Sequence, residues 1–402
     1  MHDLAATPGR VLVVDDSAFM RTALRRMIES DPSLHVIGTA NDGVEGVQMA
    51  IQLRPDVITM DVEMPRMSGL DALSRIMELA PCPVIMVSSL TQSHADATIE
   101  ALSRGAYDFL SKDLSYASLD IIRLKDDLVA KCKAAATYRR RNAVSARVPA
   151  STSGRSSIGY LAPGCEASVS PHPSHDSRAV LPIHAASRPG RRFPALKLVC
   201  IGTSTGGPKA LQCILPMLPA NLAVPIAIVQ HMPPGFTAPF ARRLDSLCQL
   251  RVKESEPNEP LLPGVIYIAR AGEQFRVIRR GAGAFAHMSL APANTPHIPS
   301  VDILMHSAAD QFAQLAMGII LTGMGSDGQQ GMAAIYHAGG YTLGEDESTC
   351  TVYGMPRACA ESGSLHSVLP LEAIPSEIVR LTGCAASSAA TVVAPSSELS
   401  TG

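Results

Sequence analysis

Tryptophan is absent from the 402-residue chain, and Phe 8 with Tyr 8 leaves few rings on which nucleic-acid bases could stack. An excess of either charge is missing too. Lys+Arg 34 against Asp+Glu 36 gives a formal net charge of -2, so no chain-wide basic field exists to hold nucleic acid or an anionic membrane. No apolar run approaches the roughly 20 residues of a membrane span, and Met1 to Arg10 carries no apolar core of an export signal. The Cys 9 set (Cys82, Cys132, Cys165, Cys200, Cys213, Cys248, Cys350, Cys359, Cys384) is odd and scattered, with no C-x-x-C pair, which fits reduced thiols. The expectation is a cytoplasmic protein with no nucleic acid among its partners and no membrane insertion.

What is present is globular: hydrophobic residues make up 46% and charged ones 17%. At about 150 residues per domain the length predicts two or three domains. From Arg10 to Cys132, short apolar runs (Val11–Val14, Val36–Ile37, Val57–Met60, Val84–Val87) alternate with helix-length amphipathic stretches, the pattern of a doubly wound parallel α/β sheet. From Arg139 to Pro194 that pattern gives way to Arg, Ser, Pro, Ala and His. It returns at Leu196–Ile201 and continues through Ile226–Val229 and Met317–Leu321, a second parallel α/β unit with a hairpin or two expected at one sheet edge within Leu262–His287. The boundaries expected are 8–132 and 196–383 for the two domains, 133–195 for a flexible linker and 384–402 for a disordered tail.

In the first domain four strand ends carry chemistry. Val11–Val14 leads into Asp15 and Asp16, the next apolar strand into Asp61, Val84–Val87 into Ser88, and Tyr107–Ser111 into Lys112. The C-terminal edge of an open parallel sheet is where ligands sit. Three carboxylates gathered there repel unless a hard cation neutralises them, and oxygen ligands suit Mg²⁺. A hydroxyl and an ammonium group complete a surround for a phosphoryl group. Singly, an acidic residue after a strand is ordinary. The ordered set resembles the receiver domain of bacterial two-component response regulators. That resemblance implies Asp61 as phospho-acceptor and Asp16, Asp61 and the backbone carbonyl of Glu63 as Mg²⁺ ligands, with Asp15 in support. It also implies that Ser88 and Lys112 engage the phosphoryl group and that Phe109 stands at an aromatic switch position. Asp113 follows Lys112 where the family usually has Pro.

In the second domain Leu198–Gly202 runs into Thr203-Ser204-Thr205-Gly206, matching G-x-S-x-G, a turn that lifts a serine to the sheet edge. GTSTGGPK only partly mimics a phosphate-binding loop, because Pro208 and Lys209 follow Gly207 where Lys and Ser/Thr are needed. A serine nucleophile requires a base, and Ile226–Gln230 delivers His231. The base requires a carboxylate, and the glycine-rich segment after Leu321 delivers Asp327. An anion-binding nest without catalysis is the alternative reading of the serine loop. The order Ser, His, Asp differs from that of α/β-hydrolases.

Ser204-Thr-Gly-Gly-Pro, Gln230-His-Met-Pro-Pro-Gly-Phe and Leu321-Thr-Gly-Met-Gly-Ser-Asp-Gly together resemble the C-terminal domain of the chemotaxis protein-glutamate methylesterases, the CheB family. The resemblance implies a flavodoxin-like receiver joined to an α/β methylesterase domain. It implies Ser204, His231 and Asp327 as a triad, and the backbone of Met324 with groups around Thr205 as the oxyanion site, with no cofactor for the ester reaction. Implied partners are a chemotaxis histidine kinase as phosphodonor and methylated chemoreceptor cytoplasmic domains as substrate. Two stretches depart from the family pattern: Arg270-Ala-Gly-Glu-Gln274, where many relatives have Pro-Gly-Gly-x-His, and His297-Ile-Pro-Ser, where Arg commonly follows the His.

Overall fold

A computed structural model describes residues 7–88, 92–112, 118–145, 193–281 and 283–383. The first part contains β1 (Gly9–Val14), α1 (Ala18–Ile28), β2 (Leu34–Ala40), α2 (Gly43–Leu53), β3 (Val57–Asp61), α3 (Gly69–Leu79), β4 (Val84–Ser88), α4 (Gln92–Ser103), β5 (Asp108–Ser111) and α5 (Ser118–Ser145). Its five strands form a sheet in the order β2-β1-β3-β4-β5, parallel throughout. Strands β3 and β4 are buried along their whole length, which is why they read as continuous apolar runs rather than alternating ones.

The second part contains β6 (Leu198–Thr203), α6 (Gly207–Ile214), β7 (Ile226–Gln230), α7 (Thr237–Asp245), β8 (Arg251–Glu254), β9 (Val265–Ile268), β10 (Gln274–Arg280), β11 (Gly283–Ser289), α8 (Val301–Phe312), β12 (Ala316–Ile320), α9 (Gln329–His337), β13 (Tyr341–Glu345), α10 (Met355–Glu361), β14 (Ser367–Leu369) and α11 (Ile374–Thr382). Seven of these strands make a sheet in the order β14-β13-β12-β6-β7-β9-β8, again parallel throughout. Strand β6 lies between β12 and β7, so the chain reverses its direction of winding beside β6, where such sheets open a crevice.

Two expectations change. Of the segment Leu262–His287, β9 enters the main sheet, and only β10 and β11 form a hairpin, which makes a two-stranded sheet of its own. Phe275, Val277 and Ala286 of that hairpin pack on Leu304 and Ala308 of α8, and the Ser307 hydroxyl accepts the Val277 N–H (2.9 Å). The hairpin therefore buries its apolar side on a helix rather than on a strand edge. Residues 133–145, expected to begin the linker, instead continue α5. Cys132, Ala135 and Ala136 are buried on the first sheet, and the Tyr138 ring meets Tyr107 at 5.4 Å, so the helix has a face to cover beyond residue 132. The remainder of the expected linker (146–192), the tail 384–402 and Asp113 lie outside the described residues.

The two sheets share an apolar boundary. The Phe109 ring at β5 stacks on Phe236 at 4.8 Å, and polar pairs flank it: Arg242 with Asp96 (2.9 Å), and the Ser103 hydroxyl with Arg243 and Gln212. Further along, Arg141 of α5 donates to the carbonyls of Glu347 and Cys350. Among the described residues no helix is long and apolar enough to cross a membrane.

Candidate active site

Register places the second domain's chemistry. Thr203 at the end of β6 pairs with Gln230 at the end of β7, and Gly202 pairs with Ile320 at the end of β12. The residues that follow, Ser204, His231 and the 321–327 loop, therefore emerge at one edge of the sheet. Backbone bonds tie them: the His231 N–H to the Thr203 carbonyl (3.1 Å), the Leu321 N–H to Gly202 (2.9 Å) and the Ser204 N–H to Thr322 (3.1 Å). Gly206, at φ 81, turns the chain into α6. Gly323 is needed for another reason. A Cβ there would collide with the Met355 sulfur and press on Ser204, so the missing side chain lets the two loops touch.

His231 and Asp327 are paired. Nε2 of the ring lies 2.8 Å from Oδ2 of Asp327, and both side chains are about nine-tenths buried. The carboxylate also accepts the N–H groups of Val301 (2.7 Å) and Asp302 (3.0 Å) and the Ser300 hydroxyl (2.8 Å), so it caps α8 from a distance in sequence. Burial pushes the Asp327 carboxyl upward, but the bonds from His231 and from the α8 amides prevail and hold it well below the usual carboxylate range. The other ring nitrogen, Nδ1, is buried and has no hydrogen-bond partner among the described residues.

Ser204 and His231 line one cavity of about 950 Å³, together with Thr205, Met324 and Gly325. The Ser204 hydroxyl has no hydrogen bond to the imidazole among the described contacts, so of the expected Ser–His–Asp chain the His–Asp half is joined and the Ser–His half is only shared lining. The backbone N–H groups of Thr205 and Met324 donate to no acceptor among the described residues. None of the described cysteines lines this cavity, and burial pushes the Cys82, Cys132 and Cys359 thiols up to about 12.

His297 closes one wall. Its ring stacks on His231 with centroids 3.9 Å apart and planes 16° from parallel. Burial, then the neighbouring His231, pushes it down to about 4, against the opposing pull of Asp327, so it is neutral near pH 7. Gln274, in the first departing stretch, is fully buried and braces the loop that carries His297. It donates to Thr295 (2.7 Å) and accepts the Ser300 N–H (2.9 Å). The sequence marked Gln274 only as part of a departing stretch and gave His297, which precedes another departure, no role. Their partners lie on other loops, and no local spacing reveals the contacts.

The opposite wall comes from the first sheet: Phe109, Leu110 and Ser111 of β5, with Leu124, Asp127 and Lys131 of α5. Lys131 is bound to Asp108 (2.6 Å), with Asp127 at 3.9 Å. None of these residues but Phe109 was singled out by the sequence, because a cavity wall donated by another domain leaves no motif.

At the C-terminal ends of β1 and β3, oxygen atoms of Asp15, Asp16 and Asp61 lie within 4.8 Å of one another. Lys112 joins two of them, reaching Asp61 (2.7 Å) and Asp15 (2.9 Å). Burial raises the Asp61 carboxyl and Lys112 opposes that rise, while burial depresses the Lys112 ammonium less than its two carboxylate partners raise it. Ser88 is buried at the end of β4, and Glu63 is exposed in the turn after β3.

Residues 11–122 match the response regulator receiver domain, and residues 199–378 match the CheB methylesterase family. A protein-glutamate methylesterase/protein-glutamine glutaminase of Symbiobacterium thermophilum is 44% identical over 95% of this chain and 99% of its own length. One of the same name from Geobacter sulfurreducens is 43% identical over 93% and 98%. Among solved structures, the Thermotoga maritima CheB methylesterase catalytic domain is 40% identical, with TM-score 0.46, over 47% of this chain and all of its own. The response regulator domain of Thermotoga maritima CheB is 52% identical, with TM-score 0.30, over 32% and 97%. With two parallel sheets in this order, each matching its family, and full-length relatives of this closeness, the chain belongs to the protein-glutamate methylesterase/protein-glutamine glutaminase family, response regulators that couple a receiver domain to a CheB methylesterase domain.

Proposed function

We propose that Ser204, His231 and Asp327 hydrolyse glutamate γ-methyl esters, and deamidate glutamines, on the cytoplasmic parts of chemoreceptors. The observation that carries the reading is the buried Asp327–His231 pair, whose unpartnered Nδ1 shares a cavity with Ser204 and two uncommitted amides. The Ser204 hydroxyl attacks the γ-carbonyl carbon and its proton passes to His231. Asp327 fixes the ring's tautomer and stabilises the imidazolium. The N–H groups of Met324 and Thr205 take the developing oxyanion. Collapse of the tetrahedral centre breaks the bond to the methoxy group, which leaves as methanol with the proton from His231. A water then gives one proton to His231 and attacks the acyl-serine; the bond from the acyl carbon to Oγ breaks, Ser204 takes that proton from His231, and the released acid ionises to the glutamate carboxylate, its proton going to solvent. With glutamine, ammonia leaves instead.

The receiver supplies regulation. Asp61 accepts a phosphoryl group from a chemotaxis histidine kinase. The clustered oxygens of Asp15, Asp16 and Asp61 fit a divalent cation, and Asp16, Asp61 and the Glu63 carbonyl are the ligands proposed for Mg²⁺. When bound, that ion would offset phosphoryl charge at Asp61. Lys112 and Ser88 hold the phosphoryl oxygens, so Lys112 exchanges carboxylate partners for phosphate. Phe109 at the switch position stacks on Phe236 of the methylesterase domain, which supports a receiver that covers the cleft until Asp61 is phosphorylated. This work belongs in the cytoplasm, where kinase and receptor tails meet.

Ser204→Ala tests the reading. Methanol release from methylated receptor should fall to background while the circular dichroism spectrum stays unchanged; sustained turnover would remove Ser204 from the mechanism.

A further inference from the structure

Thr322 stands directly after Leu321, between the serine loop and the loop bearing Met324, and it is almost wholly buried. All of its polar groups are engaged. Its carbonyl accepts the Ser204 N–H (3.1 Å) and the Thr203 hydroxyl (2.9 Å). Its own hydroxyl donates to the Thr205 carbonyl (2.9 Å) and accepts the Val352 N–H (2.9 Å). Its N–H donates to Oε2 of Glu345 (2.8 Å). Glu345, at the end of β13, is 1% exposed, and its second oxygen accepts the Thr349 hydroxyl (3.0 Å).

We infer that Thr322 and Glu345 are positioning residues for the ester reaction: they lock the Met324 loop to the Ser204 loop, so that nucleophile and oxyanion donors keep one spacing. The inference rests on the reading of Ser204 as nucleophile. Its argument is where the bonds end. Thr322 grips the serine's own N–H and the next residue's carbonyl, and Gly323 without a side chain lets its loop reach Ser204. Oxyanion donors act by being preset, so a shift of a few tenths of an ångström at Met324 costs rate rather than binding. Glu345 is needed as an acceptor, not as a charge, because a buried N–H left without a partner would drive the loop to rearrange. Burial, the largest influence on its carboxyl, favours the neutral form, and an amide oxygen serves as well.

The test uses the full-length chain with acetyl phosphate as phosphodonor and a methylated receptor peptide as substrate. Thr322→Val should lower kcat by about 10- to 100-fold with KM changed by less than about 2-fold, at temperatures where the circular dichroism is that of the unsubstituted protein. Thr322→Ser should restore most of the rate. Glu345→Gln should be near the unsubstituted rate, and Glu345→Leu should fall with Thr322→Val. Unchanged kcat in both Thr322→Val and Glu345→Leu, with Ser204 still labelled by a fluorophosphonate, overturns the inference. So does a loss that only tracks the unfolded fraction. A chain that turns over ester but resists labelling at Ser204 overturns the nucleophile reading, and this inference with it.

Discussion

Asp327 caps α8 through the Val301 and Asp302 amides and binds His231, which on the proposed function it orients. Asp327→Asn should separate the two roles. An amide nitrogen in place of Oδ2 can donate to the ring and leaves Oδ1 its bonds to Ser300 and Asp302, but it gives up the Val301 N–H. On the proposed function kcat should therefore fall by about 10³- to 10⁴-fold, with a fall in the unfolding midpoint far too small to account for it; equal activity would deny the orienting role. His297 offers a pH test. Its folded value near 4 lies below the ordinary histidine value of 6.5, so between those values the unfolded chain binds more protons and stability rises with pH. The groups around it are His231, Asp327 and Lys131. His297→Phe keeps a stacked ring and should flatten the urea-midpoint change between pH 5 and pH 7; an unaltered slope would show that another group titrates there. At this scale the sequence was informative where a residue ends an apolar run, because parallel strands bring their C-terminal ends to one edge. That is how Ser204, His231, Asp15 and Asp61 could be picked out. Thr322 and Glu345 were not legible. Thr322 ends an apolar run and Glu345 ends the mixed strand Tyr341–Glu345, but their partners lie on other strands and loops, which only the register of β6, β12 and β13 brings into reach.

Elements were legible to the extent that their burial is uniform. Strands buried on both faces announce themselves, whereas α5 did not. Its continuation through Ala134–Ala136 and Arg139–Arg141 looks like the start of a polar tract, yet it stays helical because Tyr138 has Tyr107 to pack on and Arg141 has carbonyls to meet. That extension gives the receiver a second grip on the methylesterase domain, on the 347–350 turn next to Glu345. The double substitution Arg141→Ala, Arg242→Ala removes contacts at both ends of the boundary. The exposed Arg242–Asp96 pair contributes at most about 1 kcal/mol and the part-buried Arg141 bonds lie at the domain boundary rather than in either core, so the fold should survive while methanol release without phosphodonor rises. No rise, with the fold intact, would mean that these contacts do not hold the cleft closed.

For the whole molecule, the order receiver then methylesterase could be read from motifs, but not the way the domains meet. That depends on which face of β5 and α5 is left apolar after each domain has filled its own core, and on Phe236 finding Phe109. In the resulting arrangement Lys131 and Asp127 of α5 stand in the same cavity as Ser204 and His231; on the proposed function, substrate and receiver would compete for that one space. The rate of fluorophosphonate labelling at Ser204 in the full-length chain, with and without acetyl phosphate, tests this most directly. Labelling confined to Ser204, slow without the phosphodonor, faster with it, and unresponsive in Asp61→Asn is the predicted result; labelling at another residue, or a rate indifferent to Asp61, would contradict it.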